Sequence, residues 1–253
     1  MINIQNLSFQ YDKESFMNDL SVQFETGQMT SIIGPNGSGK STLLMLMCKV
    51  LHFHTGNVSY YDKDIKDYSL KEFARKVAVV HQKNNIDHDV DVETIVGYGR
   101  LPYLHYYESL SQADYDIIDW ALEVTGLIEL RKQSLKTLSG GQQQRVWIAM
   151  ALAQKTPILL LDEPTTYLDI KYQLDILNLI QKINKEFHMT IIMVHHDLNQ
   201  AIHYSDSIVA MKDGKILFSG HPKDVICEKS LQELYDCQFQ IIEHLGEKII
   251  LNV

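Results

Sequence analysis

A chain of 253 residues with 32 acidic against 23 basic side chains carries a formal charge of −9 at pH 7 and has a pI near 5.6. That balance argues against a protein that works by neutralising phosphate backbones, so nucleic acid is not an expected partner. The length suits one generous α/β domain, or a core with an inserted subdomain. Cys48, Cys227 and Cys237 are odd in number and lack CxxC spacing, which indicates neither a disulfide framework nor a zinc site and fits a reducing compartment, with Cys227 and Cys237 read as buried or idle thiols.

The opening MINIQNLSFQYDKE lacks the basic start and long apolar region of a signal peptide and reads as a first strand. Its alternation, with that of GNVSYYDKDI, predicts a small antiparallel β region. MTSIIG, KVAVVHQ, PILLLDEP, MTIIMVHHD and SIVAMK are short β-type runs, several of them almost continuously apolar. Such strands are buried on both faces, the mark of a parallel sheet with crossover helices. From about Asp91 to Gln154 helical patterns take over, clearest in SQADYDIIDWALEVTGLIEL. The expectation is therefore a single domain over 1–253 with a helical subdomain inserted at about 91–154. The apolar runs fall well short of the roughly 20 residues that cross a bilayer, and the tail from His221 is too short for an added regulatory domain.

GPNGSGKS, residues 34–41, matches GxxxxGK[ST] between a strand and a helix beginning near Lys40. Gly34, Gly37 and Gly39 can turn backbone N–H groups inward around Pro35, Asn36 and Ser38, and the helix adds its positive end with Thr42 in its first turn. Anionic phosphates are the natural ligand. Lys40 would reach the β- and γ-phosphates, and the Ser41 hydroxyl would sit on Mg²⁺. ILLLDEP places Asp162 and Glu163 at the end of a buried strand, where open α/β sheets bind ligands. Asp162 suits Mg²⁺, through water or directly, and Glu163 can orient and deprotonate an attacking water, which implies hydrolysis. A second buried strand delivers His195, His196 and Asp197; a histidine there can sense the γ-phosphate, and two adjacent ones leave the choice open. Ser139 of LSGGQ can cap a helix whose Gly140–Gly141 start lets the backbone approach a second phosphate.

LSGGQ at residues 138–142, with the P-loop, LLLDEP and VHHDLNQA in this order, resembles the ATP-binding subunit of an ABC transporter over essentially the whole chain. The resemblance implies a P-loop NTPase (RecA-like) α/β core with a small antiparallel β region and an inserted helical subdomain. It implies two copies packed head to tail, with ATP between the P-loop of one and Ser139, Gly140, Gly141 and Gln142 of the other. It makes Gln82 the Q-loop residue that touches Mg²⁺, Glu163 the catalytic base, His196 the switch histidine, Asp169 a contact across the dimer and Tyr11 the ring that stacks on adenine. Tyr167 is bulkier than the residue many members carry there. LLDEPTTYLDI and GRLPYLHYY resemble the branch that imports iron-siderophore complexes, haem and vitamin B12. Tyr103, Tyr106 and Tyr107 are either a packing cluster of the helical segment or aromatics that help receive a membrane subunit. The implied cofactors are ATP and Mg²⁺. The implied partners are transmembrane permease subunits and, indirectly, a solute-binding protein, at the cytoplasmic face of the membrane. The cargo implied by the resemblance is an iron complex, a ferric siderophore or related chelate, with free metal, haem, vitamin B12 or an exported compound as the alternatives. A non-transport ABC protein would be expected to carry tandem cassettes or a long coiled-coil insertion, with a basic surface, and a kinase or GTPase would need neither LSGGQ nor the His-Asp strand.

Overall fold

The computed structural model describes residues 1–11, 14–82, 84, 89–105, 107–244 and 246–252. The chain divides into two compact units, Met1–Asp67 with Thr190–Val253, and Tyr68–Met189. In the first, β1 (Ile2–Tyr11) pairs antiparallel with β2 (Glu14–Phe24); β3 (Met29–Ile33) leads into α1 (Lys40–Met47), followed by β4 (Thr55–Tyr60) and the short β5 (Lys63–Asp64). The second runs from α2 (Leu70–Ala74) and β6 (Val77–Val80) through α3 (Val92–Gly97), α4 (Gln112–Thr125) and α5 (Gly140–Ala153) to β7 (Ile158–Asp162) and α6 (Ile170–Phe187). The first unit resumes with β8 (Thr190–Val194), α7 (Leu198–Tyr204), β9 (Ser207–Lys212), β10 (Lys215–Gly220), α8 (Pro222–Val225), α9 (Glu228–Tyr235) and the hairpin β11 (Phe239–His244) and β12 (Glu247–Asn252).

The antiparallel region predicted at the N-terminus is present: β1 lies between β2 and β4, and β4 also pairs with β5. Strand β2 was not among the predicted elements, because its alternation changes phase part-way. Ile2 and Ile4 are buried, then Leu7 and Phe9; across the ladder Met17 is buried, then Leu20, Val22 and Phe24. The phase changes at Asn6 (φ 49°) and Asp19 (φ 56°), whose side chains hydrogen-bond at 2.6 Å, Asn6 Nδ2 donating to Asp19 Oδ1. Asn and Asp tolerate the left-handed region better than most residues, so this matched pair of irregularities bends both strands together.

β3 is parallel to β8 on one side and β9 on the other, and all five residues of β3 and of β8 are buried. β10 adds an antiparallel edge to β9. Ile33, Ile208 and Ala210 from these strands form one core with Ala201 of α7, Leu231 and Leu234 of α9 and Ile250 of β12. The tail thus completes the core of this unit with two helices and a hairpin. Cys227 and Cys237 are exposed, so of the two expectations, buried or idle, burial does not hold; Cys227 caps α9, its Sγ accepting from the Ser230 amide at 3.4 Å.

In the second unit β6 and β7 are parallel, and the described residues of 91–154 are helical apart from loops and an isolated bridge between Asp91 and Ser134. GRLPY is a packing motif there. A Cβ on Gly99 would lie 2.2 Å from the Met150 carbonyl oxygen. Arg100, 6% exposed, pairs with Asp114 at 2.9 Å and donates to the Ala153 carbonyl at 2.8 Å. Its guanidinium stands 4.0 Å from the centre of the Tyr103 ring, and the Tyr103 hydroxyl donates to Gln154 O at 2.9 Å. Tyr103 is therefore a packing residue, whereas Tyr107 is 95% exposed; Tyr106 lies outside the described residues. Among the described residues no helix is long and apolar enough to cross a membrane.

Candidate functional site

The P-loop leaves β3 at Gly34, where φ is +147°. A Cβ there would fall 2.0 Å from the Met211 carbonyl oxygen of β9, so only glycine lets the loop lie directly on that strand. Gly39 (φ +103°) begins α1 and has no side chain with which to cap it, leaving the first-turn amides to another acceptor. Lys40 is 5% exposed, and its Nζ donates to the carbonyls of Gly34 at 2.8 Å and Pro35 at 2.9 Å. The ammonium thus points back into the loop it would share with phosphate. Ser38 Oγ is buried without a hydrogen-bond partner, which suits a site completed by an acceptor-rich ligand. Asn36 and Gly37 are exposed, Ser41 is half-buried and Thr42 is buried in α1. Tyr11 is tied to the same place, its hydroxyl 2.9 Å from Thr42 Oγ1, while its ring, 46% exposed, leans on Phe9 and Phe16.

β8 ends in the same unit. His195 is 2% exposed and His196 is exposed, so the alternation of the strand separates the two histidines. Burial pushes His195 down to about 4, with Asp197 opposing and His196 adding to the shift, and its Nε2 has no hydrogen-bond partner. It is a neutral core side chain. His196 is the one presented at the surface, directly before Asp197, which caps α7 by accepting from the Gln200 amide at 2.9 Å. Tyr235 of α9, half-buried against the core that holds Ile33, has its phenol pushed up to about 12 by desolvation.

The depressed His195 has a consequence for stability. Between about pH 6.5 and about 4 an unfolded chain takes up a proton at this position that the folded chain refuses, so folding stability falls as pH falls through that window. The full effect is about 3 kcal/mol. In thermal melts across that range, His195→Leu is expected to flatten the acid limb relative to the parent; parallel limbs would show that His195 titrates normally.

In the other unit, Asp162 closes β7 and is 7% exposed. Glu163 follows in the left-handed region, φ 51°, an uncommon conformation for glutamate that turns its side chain sharply off the strand. Gln82 Nε2 donates to Glu163 Oε2, and Thr166 Oγ1 donates to the same oxygen at 3.1 Å. Gln82 and Glu163, far apart in sequence, are thus in contact. Thr166 is a partner that sequence reasoning missed; its only signal is a hydroxyl three residues after the acid.

Ser139 caps α5 as anticipated. Its amide donates to Gln142 Oε1 at 2.9 Å and its hydroxyl accepts from the Gln142 amide at 3.4 Å, a reciprocal capping box. Gly141 packs on Tyr172, where a Cβ would meet the ring at 2.8 Å, and Gly140 faces Leu168. These contacts place LSGGQ beside the segment carrying Asp169, the N-cap of α6. Around them Tyr167 is 84% and Ile170 76% exposed, and Ser139, Gly140 and Asp169 are exposed too.

Residues 17–166 match the family model described as ABC transporter. The petrobactin import ATP-binding protein FpuC of Bacillus anthracis is 40% identical, covering 96% of this chain and 89% of its own length. The chain belongs to the ABC transporter ATP-binding family. The ferric enterobactin transport ATP-binding protein FepC of Escherichia coli K12 is 39% identical over 94% of this chain and 88% of its own. The dimeric structure of the bacterial ABC transporter cassette MJ0796 superimposes with a TM-score of 0.75 at 30% identity, covering 88% of this chain and 99% of that one. The family fixes the fold as a P-loop NTPase and the activity as that of an ABC ATPase, binding ATP and hydrolysing it.

Proposed function

We propose that this ABC ATPase is the motor subunit of an importer for a ferric siderophore or related iron chelate. The observation that carries the cargo is the likeness, over nearly the whole chain, to the ATP-binding proteins of petrobactin and ferric enterobactin transport. In this reading two copies close around ATP and reopen on hydrolysis, driving transmembrane permease subunits to which a solute-binding protein delivers the chelate. The chain sits peripherally at the cytoplasmic face.

In this reading each motif residue takes a role that the geometry of its element supports. The amides of Gly34–Gly39 with Lys40, Ser41 and Thr42 hold the phosphates, and Tyr11, tethered to Thr42, stacks on adenine. Ser41, Gln82 and Asp162 supply the hard oxygen donors that suit Mg²⁺, which neutralises phosphate charge when bound. Glu163 takes the proton of the attacking water, and His196 donates to the γ-phosphate oxygen. Ser139, Gly140, Gly141, Gln142 and Asp169 serve the site of the second copy; the exposure of Ser139, Gly140 and Asp169, with Tyr167, supports that reading. For the permease, the helical segment offers an apolar groove of about 300 Å³ lined in part by Tyr98, Leu101, Leu104 and Tyr115.

Uptake of radioactive iron, free and as several chelates, in cells with and without this chain tests the cargo. Loss of one ferric chelate class, restored by the parent chain and not by Glu163→Gln, is expected. Undiminished uptake of every iron form would leave the ATPase standing and remove iron as the cargo.

A further inference from the structure

The C-terminal hairpin makes an unusual contact with the helix that follows the switch histidine. Asn199 Nδ2 donates to the Ile250 carbonyl at 3.1 Å, and its Oδ1 accepts from the Ile250 amide at 2.8 Å. One carboxamide therefore satisfies both backbone groups of a single residue of β12, taking the place of a further strand at that edge. Only Asp197 and Leu198 separate Asn199 from His196. Two further contacts fasten the same junction: Leu198 and Ile202 pack with Ile250 and Ile241 in one core, and His203 Nδ1 lies 3.0 Å from Glu247 Oε2 at the surface. The C-terminal segment also packs against the strand that enters the P-loop, Leu231, Leu234 and Tyr235 of α9 sharing a core with Ile33, the residue before Gly34.

We infer that the C-terminal hairpin is a working part of the ATP site, with Asn199 as the positioning residue that sets α7 and through it His196. The inference rests on the role given to His196 above. α7 is short, seven residues, and a helix of that length does not hold its position by its own hydrogen bonds. Its direction is set by what it packs on, and β12 supplies the directional part of that packing. Apolar contact alone lets a helix slide; a two-point amide pair fixes where along the strand it sits. The segment that looks like a plain ending in sequence thereby reaches both ends of the nucleotide site in its unit.

The test is a double-mutant cycle in the full chain, read by ATP turnover and amide hydrogen exchange. Asn199→Ala is expected to lower kcat about five- to tenfold while the KM for ATP stays within about twofold, because a displaced γ-phosphate donor affects the transition state more than ground-state binding. The amides of α7 should exchange about tenfold faster, those of α1 unchanged. On a His196→Ala background the same substitution should add less than about a twofold loss, since its route is already removed. A full additional loss on that background, or parent kcat with Asn199→Ala beside an inactive His196→Ala, overturns the inference alone. Parent turnover by His196→Ala overturns the role of that histidine and the inference with it. If Asn199→Ala folds poorly, His203→Gln with Glu247→Gln loosens the same junction at its exposed side. A loss of kcat of about two- to threefold is then expected, and none would count against the clamp.

Discussion

Glu163→Gln is expected to bind ATP as tightly as the parent and to hydrolyse it at least about a hundredfold more slowly, the usual scale for loss of a general base. The structure gives the reason why affinity and turnover should separate. The Glu163 side chain is aimed by its own left-handed backbone and held by hydrogen bonds from Gln82 and Thr166 to one carboxylate oxygen. A glutamine has the same length and retains an oxygen to accept both, so the site keeps its shape while losing the group that takes a proton. ATP that is bound but not cleaved should then accumulate the two-copy state, seen as a shift to the dimer in size-exclusion chromatography with MgATP. Turnover at the parent rate would remove Glu163 from the role of base.

Lys40→Ala is expected to act earlier, weakening ATP binding roughly ten- to a hundredfold, the loss of one charge-assisted hydrogen bond of about 1.5–3 kcal/mol. Lys40 is almost buried, so solvent and salt screen its charge little, and no neighbouring ammonium stands in for it in the loop. The side chain also braces the loop through the carbonyls of Gly34 and Pro35, and a part of the loss will come from those two contacts. Titration calorimetry with ATP and with adenosine separates the parts: ATP should weaken markedly while adenosine, which offers no phosphate, changes little. Equal affinity of parent and variant for ATP would sink the phosphate role.

Most of the fold was legible because its central strands are short, continuously apolar and bounded by motifs, as in MTSII, ILLLD and TIIMV. Where reading failed, the cause is local. β2 was hidden by the phase change at Asp19, which breaks the period-two pattern that marks a strand. The hairpin at the end was hidden because only one of its faces is buried, with Ile241 and Ile250 inward and Ile242 and Leu251 outward among charged neighbours. Of the site, the motifs named the residues, and the structure added what spacing cannot give. That His195 is buried while His196, the one the resemblance chose, is exposed needs the structure, the Gln82–Glu163 contact needs the third dimension, and the Asn199–Ile250 pair joins segments with no motif between them. The aromatic run after GRLP divides in the same way, since Tyr103 is packed by Arg100 and bonded to Gln154 while Tyr107 is largely exposed.

Gly34 touches the backbone of β9 so closely that no other residue fits, and this has a calorimetric meaning. A loop laid on a buried strand has little freedom left to lose, so nucleotide capture need not be paid for in chain ordering. Affinity can then reside in the enthalpy of phosphate contacts, with a small heat-capacity change because little apolar surface is covered at the loop itself. Such a loop also adds no melting step to product release, which is then governed by the phosphate contacts themselves. The cycle can then be timed by closure and separation of the two copies, with the cradle held against β9 at Gly34.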